Sequence, residues 1–154
     1  MAVDLTFDLR TVPAGSRIGV SACLLGVRCK YDGTSNYAES SVKALADRFT
    51  LIPVCPEQLG GLTTPRPPAE IMGGKVVSKE GADLTAAFER GAEETLALFK
   101  LLKVEVAILK EGSPSCGSSL IYDGTFSGVK LPGAGLTVCK LRENGIPVIS
   151  EKAL

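Results

Sequence analysis

A chain of 154 residues has the length of one ordinary domain and is long enough to bury about 70% of the surface its unfolded form exposes. Lys plus Arg and Asp plus Glu are 17 each, so no net positive field exists to hold a polyanion, and nonspecific nucleic-acid binding loses its usual driving force. The first residues are acidic where an export signal needs a basic segment, and no apolar run reaches the roughly 20 residues of a membrane span. The expectation is a cytoplasmic protein with no membrane partner.

Apolar residues make up 45% of the chain but aromatics only 5%, and Trp is absent. The core must therefore be aliphatic. Residues 1–16, which end in Pro13, Ala14 and Gly15, lack periodicity and read as a tail or added edge segment before one domain over 17–154. Ile18, Gly19, Val20 and Ser21 predict a short strand, followed by a loop marked by Gly26, Asp32 and Gly33. A helix is expected over 37–48, with Ala38, Val42 and Leu45 on one face. Residues 51–54 predict a second strand, which Pro53 places away from a fully central position. The stretch 55–68 carries four prolines and two glycines, which predicts a stiff loop without regular structure.

Lys75, Val76 and Val77 suggest a short strand or hairpin arm. Leu84, Phe88, Gly91, Thr95, Phe99 and Leu102 recur at helical spacing over 83–102, with Asp83 as the N-cap. A strand over 104–109, a helix over 137–144 stopped by Gly145, and a strand over 146–149 complete the series. This alternation predicts a three-layer Rossmann-like α/β domain, with a mostly parallel sheet and helices on both faces. Ligands of such sheets bind at the carboxyl ends of the strands.

Cys23 follows the first strand, Cys55 the second, and Cys116 lies in the loop after Leu109. Three thiols from distant positions thus fall on one sheet edge. An odd count of five cysteines in a reducing compartment is a poor basis for disulfides. Cys139, on the last helix, reads as a packing residue, and Cys29, between Arg28 and Lys30, as a surface thiol or a fourth ligand. The chain has no His, which excludes Cys–His catalysis and imidazole ligation. Proton transfer must come from Glu57, Asp32, Glu111, Lys110, Tyr31, Ser113 or Ser115. Three thiolates suit either zinc or an iron–sulfur cluster, and a cluster with three protein ligands leaves one iron open.

The motifs VSACLLG (20–26), KYDG (30–33), PVCPEQLGGL (53–62), TPRPPAE (64–70), LKEGSPSCG (109–117) and IYDGTFSG (121–128) together resemble the thiouracil desulfidase family. The likeness runs from Arg17 to the C-terminus. It implies a [4Fe-4S] cluster held by Cys23, Cys55 and Cys116, whose open iron takes the sulfur of a thiolated pyrimidine such as 2-thiouracil, yielding uracil and hydrogen sulfide. It also implies Glu57 and Ser113 as the catalytic pair. Relatives that act on tRNA look like this domain followed by a second one, so an end at Leu154 favours a free thiolated nucleobase over tRNA; a homodimer is compatible with either. The competing readings are a zinc-stabilised or metal-free small-molecule binding module, and a sulfur carrier or repair protein.

Arg66, between Pro65 and Pro67, is expected to hydrogen-bond a carboxylate or backbone carbonyls and so fix the loop that carries Cys55 and Glu57.

Overall fold

The computed structural model describes residues 7–37 and 41–154. Its centre is a parallel sheet of β1 (Arg17–Ser21), β2 (Thr50–Val54), β5 (Val106–Leu109) and β8 (Val148–Ser150), in the order β2-β1-β5-β8. Side chains alternate across this sheet as strand geometry requires. Ile18, Val20, Val106 and Ile108 face one side; Ala107 and Leu109 face the other. The expected parallel α/β architecture is present. β2 is an edge strand, where the missing N–H of Pro53 leaves no central ladder bond unmade.

The two faces are covered differently. Long helix α2 (Thr85–Leu101) and α3 (Leu136–Glu143) pack together on one face through Leu96, Phe99, Val138 and Leu141. Gly19 on β1 makes room for Phe99, since an added Cβ there would stand 2.3 Å from the ring. On the opposite face lie 3-10 helices, not the α-helix expected over 37–48. Val42–Asp47 forms a 3-10 segment that buries Val42, and positions 38–40 lie outside the described residues. Ser41, immediately before it, is a residue that favours turns over helix interior. Phe7, Leu9 and buried Val12 pack on this second face, so residues 7–12 cover the sheet and add no strand to its edge.

Asp83 accepts from Thr85 N at 2.9 Å and Thr85 Oγ1 at 2.6 Å, one residue ahead of the helix N-cap at Leu84. The stretch 55–68 is not free of regular structure, because α1 (Pro56–Leu59) starts within it. Pro56 is tolerated there, since the first turn of a helix needs no N–H. Two antiparallel hairpins flank the carboxyl end of the sheet: β3 (Ala69–Met72) with β4 (Lys75–Ser78), and β6 (Leu120–Tyr122) with β7 (Lys130–Pro132). The second had no clear sequence signal. Among the described residues no helix is long and apolar enough to cross a membrane.

α1 and α2 touch backbone to backbone. A Cβ on Gly91 would stand 2.0 Å from Pro56 O, and one on Gly60 would stand 2.0 Å from Ala87 O. Helix propensity alone would favour Gly91→Ala by about 1 kcal/mol, but overpacking of this kind typically costs about 1–3 kcal/mol. The clash involves main chain that cannot rotate away, so the net effect should be destabilising. A lowered urea midpoint for Gly91→Ala checks this; an unchanged or raised midpoint contradicts it.

Candidate active site

The loops after β1, β2 and β5, three adjacent strands, meet above the carboxyl end of the sheet. Cys23 sits in the 3-10 turn Ala22–Leu25, which Gly26 ends at φ +100°. Cys55 is the N-cap of α1. Cys116 follows β5 in the loop that opens with Lys110. Ser21 Oγ accepts from Lys110 N at 2.9 Å, which ties the end of β1 to the end of β5. All three cysteines line one cavity of about 440 Å³, shared with Glu57, Ser113, Arg66, Glu70, Lys110 and Tyr31.

The thiols differ in their surroundings. A hydrogen bond from Cys29, opposed by burial and aided by Asn36, lowers Cys23 to about 7. Asn36 Nδ2 donates to Cys23 Sγ at 3.2 Å. Cys55 is lowered to about 6, chiefly by Cys29, with burial opposing and the Gln58 N–H assisting. Cys29, set between those two thiols, is pushed far up by them and by burial. Burial raises Cys116 to about 12 despite hydrogen bonds from Ser21 and Ser115.

The surface-thiol alternative for Cys29 and the packing reading of Cys139 do not hold. Cys29 is buried, 2% exposed, and is not a surface thiol. Cys139 is exposed and is not a packing residue, because the buried face of α3 runs through Val138 and Leu141 and passes it by.

Glu57 stands on the first turn of α1. Its Oε1 accepts from Arg66 Nε at 3.0 Å, and its Oε2 accepts from Ser115 Oγ at 3.0 Å and Ser113 Oγ at 3.4 Å. Arg66 makes the bonds expected of it. Besides Glu57 it donates to Cys29 O at 2.8 Å, Thr63 O at 3.1 Å and Thr64 Oγ1 at 2.8 Å, with its side chain only 6% exposed. One guanidinium therefore joins the Glu57 carboxylate to the Cys29 loop, using the fixed fork that Lys lacks. Ser113 Oγ also accepts from Ser115 N at 3.1 Å and Cys116 N at 3.2 Å, so it shapes the loop that presents Cys116. Ser115 lies 3.6 Å from Cys116 Sγ and links that thiol to Glu57.

The other proton-transfer candidates are used differently. Asp32 is a turn cap, accepting from Thr34 N and Oγ1. Glu111 lines the cavity but is spent on structure: Oε1 accepts from the N–H groups of Ser118, Ser119 and Leu120, and Oε2 from the Ser118 and Ser119 hydroxyls. Lys110 pairs with Glu151 at 3.3 Å. Asn36 and Glu70 were not singled out from the sequence. Both are polar side chains buried by contacts distant along the chain, which local spacing does not encode.

Burial pushes the Glu111 carboxyl up, but the Leu120 and Ser119 N–H groups and the Ser119 and Ser150 hydroxyls outweigh it and hold the pKa at about 2, below the ordinary 4.5. A folded pKa below the unfolded one gives stability that is complete above about 4.5 and is lost as pH falls toward 2. Glu111→Gln should destabilise by roughly 1–3 kcal/mol at neutral pH, since the bonds from three N–H groups and two hydroxyls lose their charged acceptor. Its urea midpoint should also fall less than the wild type's between pH 5 and pH 3, by about the share this one group contributes. Parallel acid limbs for the two proteins would contradict the assignment.

The 2-thiouracil desulfurase family model matches residues 18–153. The chain is 46% identical over 145 residues to the uncharacterized protein YbbK of Bacillus subtilis (strain 168), covering 88% of this chain and 95% of that one. It is 49% identical to the solved [4Fe-4S]-dependent thiouracil desulfidase TudS, with a TM-score of 0.79 over 90% of this chain and 93% of that one. With a family match over nearly its whole length and a parallel α/β fold shared with TudS, this chain belongs to the 2-thiouracil desulfurase family.

Proposed function

We propose that the protein is a cytoplasmic, [4Fe-4S]-dependent desulfidase that removes sulfur from a thiolated pyrimidine such as 2-thiouracil, giving uracil and hydrogen sulfide. One observation carries this reading: Cys23, Cys55 and Cys116 line the same cavity as the hydrogen-bonded pair Glu57 and Ser113. The donor set fits an iron–sulfur group, because soft thiolates without imidazole select such clusters.

Cys23, Cys55 and Cys116 would hold the cluster, which supplies a Lewis-acidic iron free of protein ligands for the thione sulfur. Glu57 Oε2 is the proton acceptor for the water that attacks the thiocarbonyl carbon, and Arg66 fixes this carboxylate through Oε1. Ser113 hydrogen-bonds the heterocycle as charge develops on it. The balance is one water consumed, one oxygen gained by the ring carbon, and sulfide released with two protons.

A free base suits a cavity of about 440 Å³ in a chain of zero net charge better than tRNA does, and a homodimer is compatible with this chemistry. Iron and acid-labile sulfide analysis of anaerobically purified protein, with single-turnover assay of 2-thiouracil, tests the proposal. Near-stoichiometric cluster with uracil formation is expected; protein carrying zinc, or no metal after reconstitution, would overturn it.

A further inference from the structure

Three carboxylates line the cavity: Glu57, Glu70 and Glu111. Two have protein donors on both oxygens. Arg66 and two hydroxyls occupy both oxygens of Glu57, and three N–H groups and two hydroxyls occupy both oxygens of Glu111. Glu70 is different. Its Oε1 accepts from Gly124 N at 3.0 Å and Phe126 N at 3.2 Å, while Oε2 receives no hydrogen bond from any described residue. Glu70 is only 8% exposed, and no described Lys or Arg pairs with it. Thr137 Oγ1 is the one buried side-chain oxygen or nitrogen without a partner among the described residues, so Glu70 Oε2 keeps some exposure, and Glu70 lines the cavity. Here the anchored oxygen fixes the carboxylate's position, and the second is left to a donor that enters the cavity.

Resting on the function proposed above, we infer that Glu70 is a specificity-determining residue that accepts a hydrogen bond from a ring N–H of the bound base. The substrate class is then a cyclic thioamide or thiourea with at least one unsubstituted N–H beside the sulfur-bearing carbon. Its fully N-alkylated counterpart is excluded, because a site built to accept from N–H leaves a carboxylate oxygen unpaired against a ligand that lacks one.

Calorimetric titration of the anaerobically purified full chain with uracil and with 1,3-dimethyluracil tests this without any turnover. Uracil should bind about 10- to 100-fold more tightly than its dimethyl derivative, the range for one hydrogen bond to a charged group. Glu70→Gln should abolish most of that preference yet keep the melting temperature, because the amide oxygen still accepts from Gly124 and Phe126 while its NH₂ meets the ligand's N–H. The wild-type comparison needs no variant, and equal affinities overturn the assignment. A preference retained in Glu70→Gln overturns it alone, whereas no uracil binding at all removes the pyrimidine reading as well.

Discussion

Single replacement of Cys23, Cys55 or Cys116 by Ala should yield protein without visible iron–sulfur absorption and without desulfuration. Each thiol comes from a different strand end, so for Cys55 and Cys116 no second cysteine on the same loop replaces a lost one. Cys29 is the nearest substitute, packed against Cys23 and Cys55. Its position beside those two makes it a poor replacement for Cys116, which should therefore be the least tolerant of the three. Cys139→Ala serves as the control: the side chain is exposed, and no cavity forms on its removal. Iron content and the visible spectrum after anaerobic reconstitution are the measurements. Bleaching by Cys139→Ala, or full iron retention in Cys116→Ala, would show the ligand set to be wrong.

Glu57→Gln should retain the cluster and lose about 10²- to 10⁴-fold in single-turnover rate, the usual contribution of general base catalysis. The amide keeps the shape, and its oxygen can still accept from Arg66, but it does not take a proton from water. Arg66 remains anchored on Cys29 O, Thr63 O and Thr64 Oγ1, so the loop carrying Cys55 should hold. Variants matched for iron content separate chemistry from assembly. Near wild-type rates would remove the base role, and Glu111 would not inherit it, since five donors already occupy its carboxylate.

Much of the sheet was legible because short aliphatic runs bounded by Gly and Pro leave few alternatives. The meeting of Cys23, Cys55 and Cys116 followed from parallel topology, which sends the ends of successive strands to one edge. The bonds of Arg66 were also readable, from a guanidinium confined between two prolines. Three features were not. The burial of Cys29 was hidden by Arg28 and Lys30, which read as a solvated loop although only the thiol between them turns fully inward. Cys139 looked like core because its helix carries an apolar pattern, yet i to i+3 spacing places Val138 and Leu141, not Cys139, on the buried face. The 3-10 cover over Val42–Asp47 carries an α-like apolar pattern, and tertiary packing rather than periodicity sets its type.

The strand order β2-β1-β5-β8 has a consequence for assembly. β1 pairs with β5 in parallel, so the first and last of the three thiol-bearing loops become neighbours only after α1, both arms of the first hairpin and α2 have been accommodated between them. In the unfolded chain the same thiols are remote ligands, and gathering them means closing long loops against chain entropy. The cavity is thus a property of the completed sheet: a fragment that ends before β5 contains three of the four cysteines that line it and none of the Ser113–Cys116 loop. The pairing of β1 with β5 is also what brings the Cys23 and Cys116 loops to the one cavity.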